Sequence, residues 1–330
     1  MVPVADTQPR RAWWSTWWFK LGLSVLLLAV LLQETDLGQL SAAMVRAHLG
    51  WVIVALLGYI VSQVVSSIRW TMLARPLGFQ EPFGYFFRSY FTGMYMNLFA
   101  PSTVAGDIGR ALLLAAAGQR RKALAFTTVI ADRGLGFVVL IWIGALAILT
   151  HPGYRLPAPL RYGAWVIPPA TLLGWLYVPP LMVRVFAPGN RWRQLVERDL
   201  APYWSDFRLL TETSVVACIF HGLQIITQVL LAWALDLRVP VAFFFIFVPV
   251  VNIAGMLPIS FSGIGIREAG YWFFLAMVGV ARPAAVALGL LSSAVVLATG
   301  LAGGLVFLFW NMQLPAEANS KPPRAAKSAP

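Results

Sequence analysis

Apolar residues along this chain run in long blocks separated by short charged segments. Six blocks, about 17–33, 49–73, 123–150, 162–185, 211–236 and 284–311, reach or approach the roughly 20 residues a helix needs to cross a bilayer, and each predicts a full span. Two further blocks, about 83–109 and 239–281, are apolar at both ends and interrupted in the middle by Gly, Pro and charged residues. The pattern predicts an all-α polytopic membrane protein with about six full spans and two re-entrant or broken helices.

The two interruptions resemble each other. "NLFAPSTVAGDIGR" runs from Asn97 to Arg110, and "LPISFSGIGIRE" from Leu257 to Glu268. Aligned on Pro101 and Pro258, both read P-x-[ST]-x-x-G-x-x-x-R, with Thr103 matching Ser260, Gly106 matching Gly263 and Arg110 matching Arg267. An asparagine precedes each proline (Asn97, Asn252), and the helices upstream carry related tetrads, "SQVV" from Ser62 and "TQVL" from Thr227. Three spans separate the two elements, an odd number, so a duplication would leave the halves, about 49–150 and 211–311, in opposite orientation. Inverted repeats with broken helices meeting near the midplane are a recurrent transporter architecture. Irregular backbone inside a membrane is tolerable only where protein or water satisfies its N–H and C=O groups, so two such places imply an internal polar cavity.

Composition agrees with the pattern. Of 330 residues, 59% are hydrophobic and 12% charged, against about a quarter charged in a soluble domain. The single cysteine, Cys218, excludes an intrachain disulfide, and His48, His151 and His221 are too scattered for a zinc cluster; no cofactor motif is present. The net charge of +12 comes from basic residues in short loops, which fits the positive-inside rule and gives no basic stripe for nucleic acid. The N-terminal "RRAWWSTWWFK" precedes an apolar run as in a signal peptide, but no small-residue cleavage pattern follows. A retained first helix with an interfacial tryptophan belt is expected. Residues 314–330, rich in Pro, Ala and Lys, predict a disordered tail.

Charge also orders the loops. Arg10, Arg11 and Lys20 place the N-terminus in the cytoplasm, and Glu34 and Asp36 then lie outside. Arg69, Arg75 and Arg88 follow the second span and mark the inside, as do Arg110, Arg120, Arg121 and Lys122. The segment 83–109 must therefore leave and return on one face. The loop from Arg184 to Arg208 is again inside, 239–281 enters from the outer face, and the tail with Lys321, Arg324 and Lys327 returns to the cytoplasm. An eight-span arrangement, with both interrupted segments crossing fully, is the alternative. The expected location is the cytoplasmic membrane.

Six ionisable residues fall in or beside apolar segments: Asp107, Arg110, Asp132, Arg133, Arg267 and Glu268. Unpaired at mid-bilayer, six charges would cost roughly 15–20 kcal/mol on insertion scales, so they must be paired, at headgroup level or facing water. Asp107 and Arg110 can share a helix face; Asp132 and Arg133 point apart, and a cross-pair of Asp132 with Arg110 is expected. The functional expectation is a site for an anionic group, with glycines admitting backbone N–H groups and arginine supplying bidentate donors. Its candidate residues are Asn97, Ser102, Gly106, Asp107, Arg110, Asp132, Arg133, Asn252, Ser260, Gly263, Arg267 and Glu268. The plainer alternative is that the charges pin helices together and mark the cytoplasmic boundary.

Weaker signals remain. Tyr59, Ser62, Gln63, Ser66 and Ser67 share one face of the second span, and His221, Gln224 and Gln228 one face of 211–236; both predict interhelical hydrogen bonding rather than ligand contact. Gly300 and Gly304 predict close helix packing. "RWRQLVERDLAPYWSDF" predicts an interfacial helix broken at Pro202 that touches anionic phospholipid through its arginines.

Through "NLFAPSTVAGDIGR", the "DRGLG" from Asp132 and "LPISFSGIGIRE", most of the chain resembles the lysylphosphatidylglycerol synthase transmembrane-region family, also described as flippase-like membrane proteins. Where that family usually has paired glycines before the aspartate, Ala105 precedes Gly106 and Asp107 here. The resemblance implies a membrane lipid substrate moved by a flippase-like domain over 1–313. In multidomain members this region accompanies a soluble aminoacyl-transferase half, which nothing here resembles, so aminoacyl transfer is not expected. Rocking of the halves about a cavity lined by Asn97, Asp107, Arg110, Asn252, Arg267 and Glu268 is the expected mechanism, with Asp107 or Glu268 as candidate proton carriers. No P-loop is present to hydrolyse ATP. The alternatives are a membrane-embedded enzyme acting on a lipid head group through Asp107 or Asp132, or an accessory subunit partnering a lipid-synthesis enzyme.

Overall fold

The computed structural model describes residues 17–99, 104–117, 122–256 and 263–313, and among them every regular element is a helix. Five are long and apolar enough to cross a membrane. These are α3 (Leu49–Ala74), α6 (Lys122–Thr150), α7 (Ala158–Val185), α10 (Phe207–Ala234) and α13 (Arg282–Gln313). The shorter helices are α1 (Trp17–Gln33), α2 (Leu37–Arg46), α4 (Phe83–Phe99), α5 (Val104–Ala117), α8 (Arg191–Gln194), α9 (Ala201–Ser205), α11 (Val241–Met256) and α12 (Ile266–Ala276). The protein is a multi-pass helical membrane protein.

The first expected span is helical over its expected bounds, and the sharp bend that follows it was not expected. α1 stops at Gln33, and the chain bends by 96° into α2, whose N-terminus is capped by Asp36 accepting from the Gln39 N–H at 3.0 Å. Arg282, at the start of α13, holds this corner. It donates to Glu34 at 2.5 Å and to the Leu31 carbonyl at 3.3 Å, and lies over the Trp272 ring.

Both interrupted segments are hairpins. In the first, the Tyr85 hydroxyl donates to the Leu113 carbonyl at 2.7 Å, and Gly93 packs on Gly106. The arms α4 and α5 therefore run antiparallel. In the second, Phe247 contacts Tyr271 and Phe274, while Gly255 faces Arg267, so α11 and α12 are antiparallel as well. Each pair returns towards the side from which it came, as the charge pattern required. α4, with 17 residues at about 1.5 Å each, is shorter than the ~30 Å hydrocarbon core. The connecting residues, including Pro101, Ser102, Thr103, Pro258 and Ser260, lie outside the described residues, as do Arg120, Arg121 and the expected tail.

At the centre, α3 and α10 form the most extensive helix pair. Their direction is antiparallel: the His48 N–H at the start of α3 donates to the Ala234 carbonyl at the end of α10, Trp51 meets Trp233, and Arg69 lies over Phe220. Around them the contacts come in matched sets. α4 packs on α13 as α11 packs on α6, and α5 packs on α6 as α12 packs on α13. Glycines permit the closest approaches: Gly300, Gly303 and Gly304 of α13 admit Leu98, Phe91 and Tyr95 of α4, and Gly144 of α6 admits Pro249 of α11. An apolar core built on Phe243, Phe244, Ile246 and Phe247 of α11 fills one end of the bundle, and a second around Trp70, Phe79, Phe86 and Leu114 fills the other.

α7 stands outside this arrangement. Four internal prolines, at 168, 169, 179 and 180, interrupt its hydrogen bonding, and most of its side chains remain exposed. After it, α8 leads through a π-helical turn, Leu195–Asp199, into α9. The expected break at Pro202 falls earlier, at Leu200; Pro202 occupies the first turn of α9, where its missing N–H costs no hydrogen bond. Val196 and Tyr203 turn inward, and the Tyr203 hydroxyl donates to the Leu73 carbonyl at 2.6 Å. Burial raises the phenol's pKa above its ordinary value.

The glycine contact at the first hairpin gives a test. A β-carbon at Gly106 would collide with the Gly93 carbonyl and the Asn97 carboxamide, whereas one at Gly134 meets nothing within 4 Å. Gly106→Val should destabilise the detergent-solubilised protein by about 1–3 kcal/mol, the usual range for overpacking. Gly134→Ala should stay within about 1 kcal/mol of wild type, the helix-propensity scale for glycine. Equal melting temperatures for Gly106→Val and wild type would show that the hairpin does not depend on this approach.

Candidate functional site

α6 carries Asp132 about 15 Å along its axis from Lys122, at about 1.5 Å per residue, and so towards the middle of the span. The side chain is 1% exposed. Two arginines meet it: Arg69 Nε donates to Oδ1 at 2.8 Å, and Arg110 Nη2 to Oδ2 at 3.0 Å. The expected cross-pair of Asp132 with Arg110 is present. Arg110 also lies 3.1 Å from Asp107, which in turn holds Arg133 Nε at 2.8 Å. The adjacent Asp132 and Arg133 thus find separate partners, and the five groups form one continuous network.

Arg69 was expected in a cytoplasmic loop. It lies inside α3, 4% exposed, one more member of the polar face that includes Ser62, Gln63 and Ser66. Space for its guanidinium exists because residue 136 is glycine: a β-carbon there would sit 3.0 Å from Arg69 Nη1. The Gly136 carbonyl accepts from His221 Nε2 at 2.9 Å, which fixes that ring nitrogen as the protonated one.

Beside the network lies a cavity of about 220 Å³. α3 contributes Tyr59, Gln63, Ser66 and Arg69, and α10 contributes His221, Gln224 and Gln228. α4 adds Tyr90 and Asn97, α6 adds Asp132 and Arg133, α11 adds Asn252, α12 adds Arg267, and α13 adds Ser292. The polar faces of α3 and α10, predicted to hydrogen-bond between helices, do so where Ser66 meets the Tyr90 hydroxyl and His221 the Gly136 carbonyl, and they also wall the cavity. Their periodicity was legible, but wall and interhelical contact place the same demand on a helix face.

Of the residues expected to line such a cavity, Asn97, Asp132, Arg133, Asn252 and Arg267 do so. Gly106, Asp107, Arg110, Gly263 and Glu268 do not, and each has a visible structural task. Gly106 donates its N–H to Asn97 Oδ1 at 2.7 Å and lets α5 approach α4. Arg110 is 3% exposed and its guanidinium lies 4.8 Å and 5.0 Å from the Trp70 and Tyr90 ring centres. Asp107 bridges Arg110 and Arg133. Glu268 accepts from the Gly265 N–H at 2.7 Å and the Ser293 hydroxyl at 2.6 Å, closing the start of α12. Gly263 takes a positive φ of 81° and packs on the Gly255 carbonyl. Ser102 and Ser260 lie outside the described residues.

The motif-equivalent arginines therefore differ. Arg110 is enclosed by carboxylates and aromatic rings. Arg267 faces the cavity, and its Nε is buried with no hydrogen-bond partner among the described residues. Within the network three arginines face two aspartates, and Arg267 adds a further cation to the cavity lining. No group of three metal-ligating side chains occurs among the described residues.

The chain matches the family described as the lysylphosphatidylglycerol synthase TM region over residues 17–304. It is 25% identical to the glycosyltransferase AglD of Haloferax volcanii, the match covering 86% of this chain and 52% of that protein. To the UPF0104 membrane protein MJ1595 of Methanocaldococcus jannaschii it is 24% identical, across 47% of this chain and 44% of that protein. The chain thus spans about half the length, or less, of the curated relatives it matches. No solved structure matches.

The network predicts unequal costs for its members. Removing one partner of a buried ion pair costs about 3–5 kcal/mol because the other charge is stranded. Asp132→Ala strands Arg69, leaves Arg110 with Asp107 alone, and should fall at the top of that range. Arg133, with its side chain 39% exposed, should cost about 1 kcal/mol or less as Arg133→Ala. Thermal denaturation in detergent measures both; equal losses would contradict the central place given to Asp132.

Proposed function

This chain belongs to the lysylphosphatidylglycerol synthase transmembrane-region family, and we propose that it moves a lipid with a polar, anionic head group across the cytoplasmic membrane. The observation that carries this reading is the cavity itself: a polar, positively lined space deep in a membrane bundle, with an arginine N–H left without a partner among the described residues. Arg69, Arg133 and Arg267 would attract the anionic group, and Asn97, Asn252, Gln224 and Gln228 would hydrogen-bond it. A cavity of this size suits a head group with its chains left in the surrounding hydrocarbon.

The halves 49–150 and 211–311 act in this proposal as inverted repeats. The matched contacts around the antiparallel α3–α10 pair support that reading, and so does the contribution of both halves to the cavity. Relative rocking of the two hairpins would open the cavity to one side and then the other, a transporter behaviour known for inverted repeats. Arg110 belongs to the frame that supports the site, and Arg267 to the site.

A second reading has one observation in its favour. The Haloferax relative is named a glycosyltransferase, and about half of that protein lies outside the match. This chain could then serve beside a lipid-modifying enzyme as its membrane partner, presenting the lipid that the enzyme acts on. Incubating the purified protein with phospholipid and activated sugars or amino acids separates the two. The transport reading expects no new lipid species.

Orientation and chemistry are tested separately. With Cys218 replaced, single cysteines at Arg75 and Lys122 should label from the same side, the cytoplasmic one; labelling from opposite sides would rule out the re-entrant first hairpin. For the site, lysine keeps the charge of arginine but loses its planar fork. Arg267→Lys should insert and melt normally yet lower translocation of fluorescent anionic lipid in proteoliposomes by about ten- to a hundredfold, as loss of a charge-assisted contact implies. Arg110→Lys should lower the melting temperature first. Wild-type translocation by Arg267→Lys at matched insertion would reduce this arginine to a structural charge.

A further inference from the structure

A second cavity, about 320 Å³ in volume, lies on the far side of α6 from the polar one. The separation follows from helix periodicity. Asp132, Gly136 and Leu140 face the polar cavity, whereas Ile130, Gly134 and Val138 face this one. Its remaining walls come from α3, α7, α9, the π-helical turn and α10, and they are almost wholly apolar. Thr127 and Thr213 contribute hydroxyls already bonded to carbonyls of their own helices. One polar group is left over. Trp204 lines the cavity, packs edge-on against Trp175 with ring centres 4.3 Å apart, and buries its indole N–H without a partner among the described residues.

We infer that this cavity holds one acyl chain of an ester-linked glycerophospholipid, with the Trp204 N–H donating to the ester carbonyl. Four observations select that occupant. The outer wall is α7, whose exposed Leu172, Leu173 and Leu176 face the bilayer, so hydrocarbon is the material at hand. Apolar walls of this kind gain dispersion contacts from a chain that an empty void would forfeit. A peptide segment would bring a row of backbone donors and acceptors into walls that offer a single free donor. An acyl ester brings one strong acceptor on a long apolar body, which matches the single unpartnered N–H among the lining residues.

This site is independent of the proposed transport route, since α6 separates it from the arginine-lined cavity. Its occupant is a resident lipid that fills the space between α6, α7 and the α8–α9 segment. α7 has few protein contacts of its own, and the chain would complete its packing.

Gly134 supplies the test, because its missing side chain opens directly into free space. The full chain, purified and stripped of lipid, is titrated with diacyl phosphatidylglycerol and with its dialkyl ether counterpart, and bound lipid is counted by native mass spectrometry. Wild type should take up one tightly held diacyl lipid that Gly134→Phe loses; if Gly134→Phe fails to fold, Gly134→Leu is the smaller plug. Trp204→Phe, which keeps the ring and removes the donor, should weaken the diacyl lipid by about two- to tenfold and leave the ether lipid unchanged. Arg267→Lys should leave this lipid in place. Undiminished binding by a folded Gly134→Phe or Gly134→Leu protein, together with a raised melting temperature, would identify an empty packing void and overturn the inference. Equal loss of ester and ether lipid in Trp204→Phe would overturn the role of the indole.

Discussion

A carboxylate in the middle of a membrane helix is tolerable only with partners, and the bundle is arranged to bring two to Asp132. Arg69 arrives from α3 and Arg110 from α5, one on each carboxylate oxygen. Each approach has its own requirement. Arg69 needs Gly136 to leave room for its guanidinium. Arg110 needs the α4–α5 hairpin to close, which depends on Gly93 and Gly106 meeting without side chains. The ion pairs thus fix the relative position of α3, α5 and α6, and the cavity is the space left beside them. Desolvation offsets much of the Coulomb gain of such pairs, so their contribution is better seen as specification of geometry than as net stability.

Near-equivalence of the two hairpins makes their difference informative. Both begin with an asparagine-bearing helix, reverse direction, and present an arginine after a glycine. In the first, the arginine is surrounded by Asp107, Asp132, Trp70 and Tyr90. In the second, position 264, which matches Asp107, is isoleucine, and the acid that follows Arg267 turns to the Gly265 N–H and Ser293. Arg267 is left facing the cavity. Two similar hairpins thus differ in one respect: the first holds its arginine in the bundle's ion-pair network, and the second leaves its arginine on the cavity wall.

Much of this was legible in the sequence, and the rest was hidden for identifiable reasons. Hairpins showed themselves because glycine and proline interrupt apolar runs that must otherwise satisfy every backbone group internally. The Asp132–Arg110 pair followed from the cost of leaving either alone. Arg69 was misplaced because a basic residue near the end of an apolar run looks like a boundary marker, although its spacing from Ser62 and Ser66 continued their polar face. The corner between α1 and α2 depends on Arg282, far away in sequence, reaching Glu34 and the Leu31 carbonyl. Nothing local announces it. The polar faces of α3 and α10 were read as sites of interhelical hydrogen bonding, which Ser66 and His221 make, but not as walls, since only the packing of other helices decides how much of a polar face meets space.

Breaking a helix inside a membrane also frees backbone groups, and their satisfaction explains which candidate residues stand aside from the cavity. Asn97 accepts from the Gly106 N–H, and Glu268 from the Gly265 N–H, so each hairpin closes its second arm with a side chain near its own break. For Glu268 this task and the Ser293 hydroxyl engage both carboxylate oxygens at the start of the helix. Asn97 also lines the cavity. The polar residues concentrated at the interruptions therefore divide by chemistry: those with an acceptor beside a free N–H stabilise the break, whereas Arg267 lines the cavity with its Nε unpartnered among the described residues.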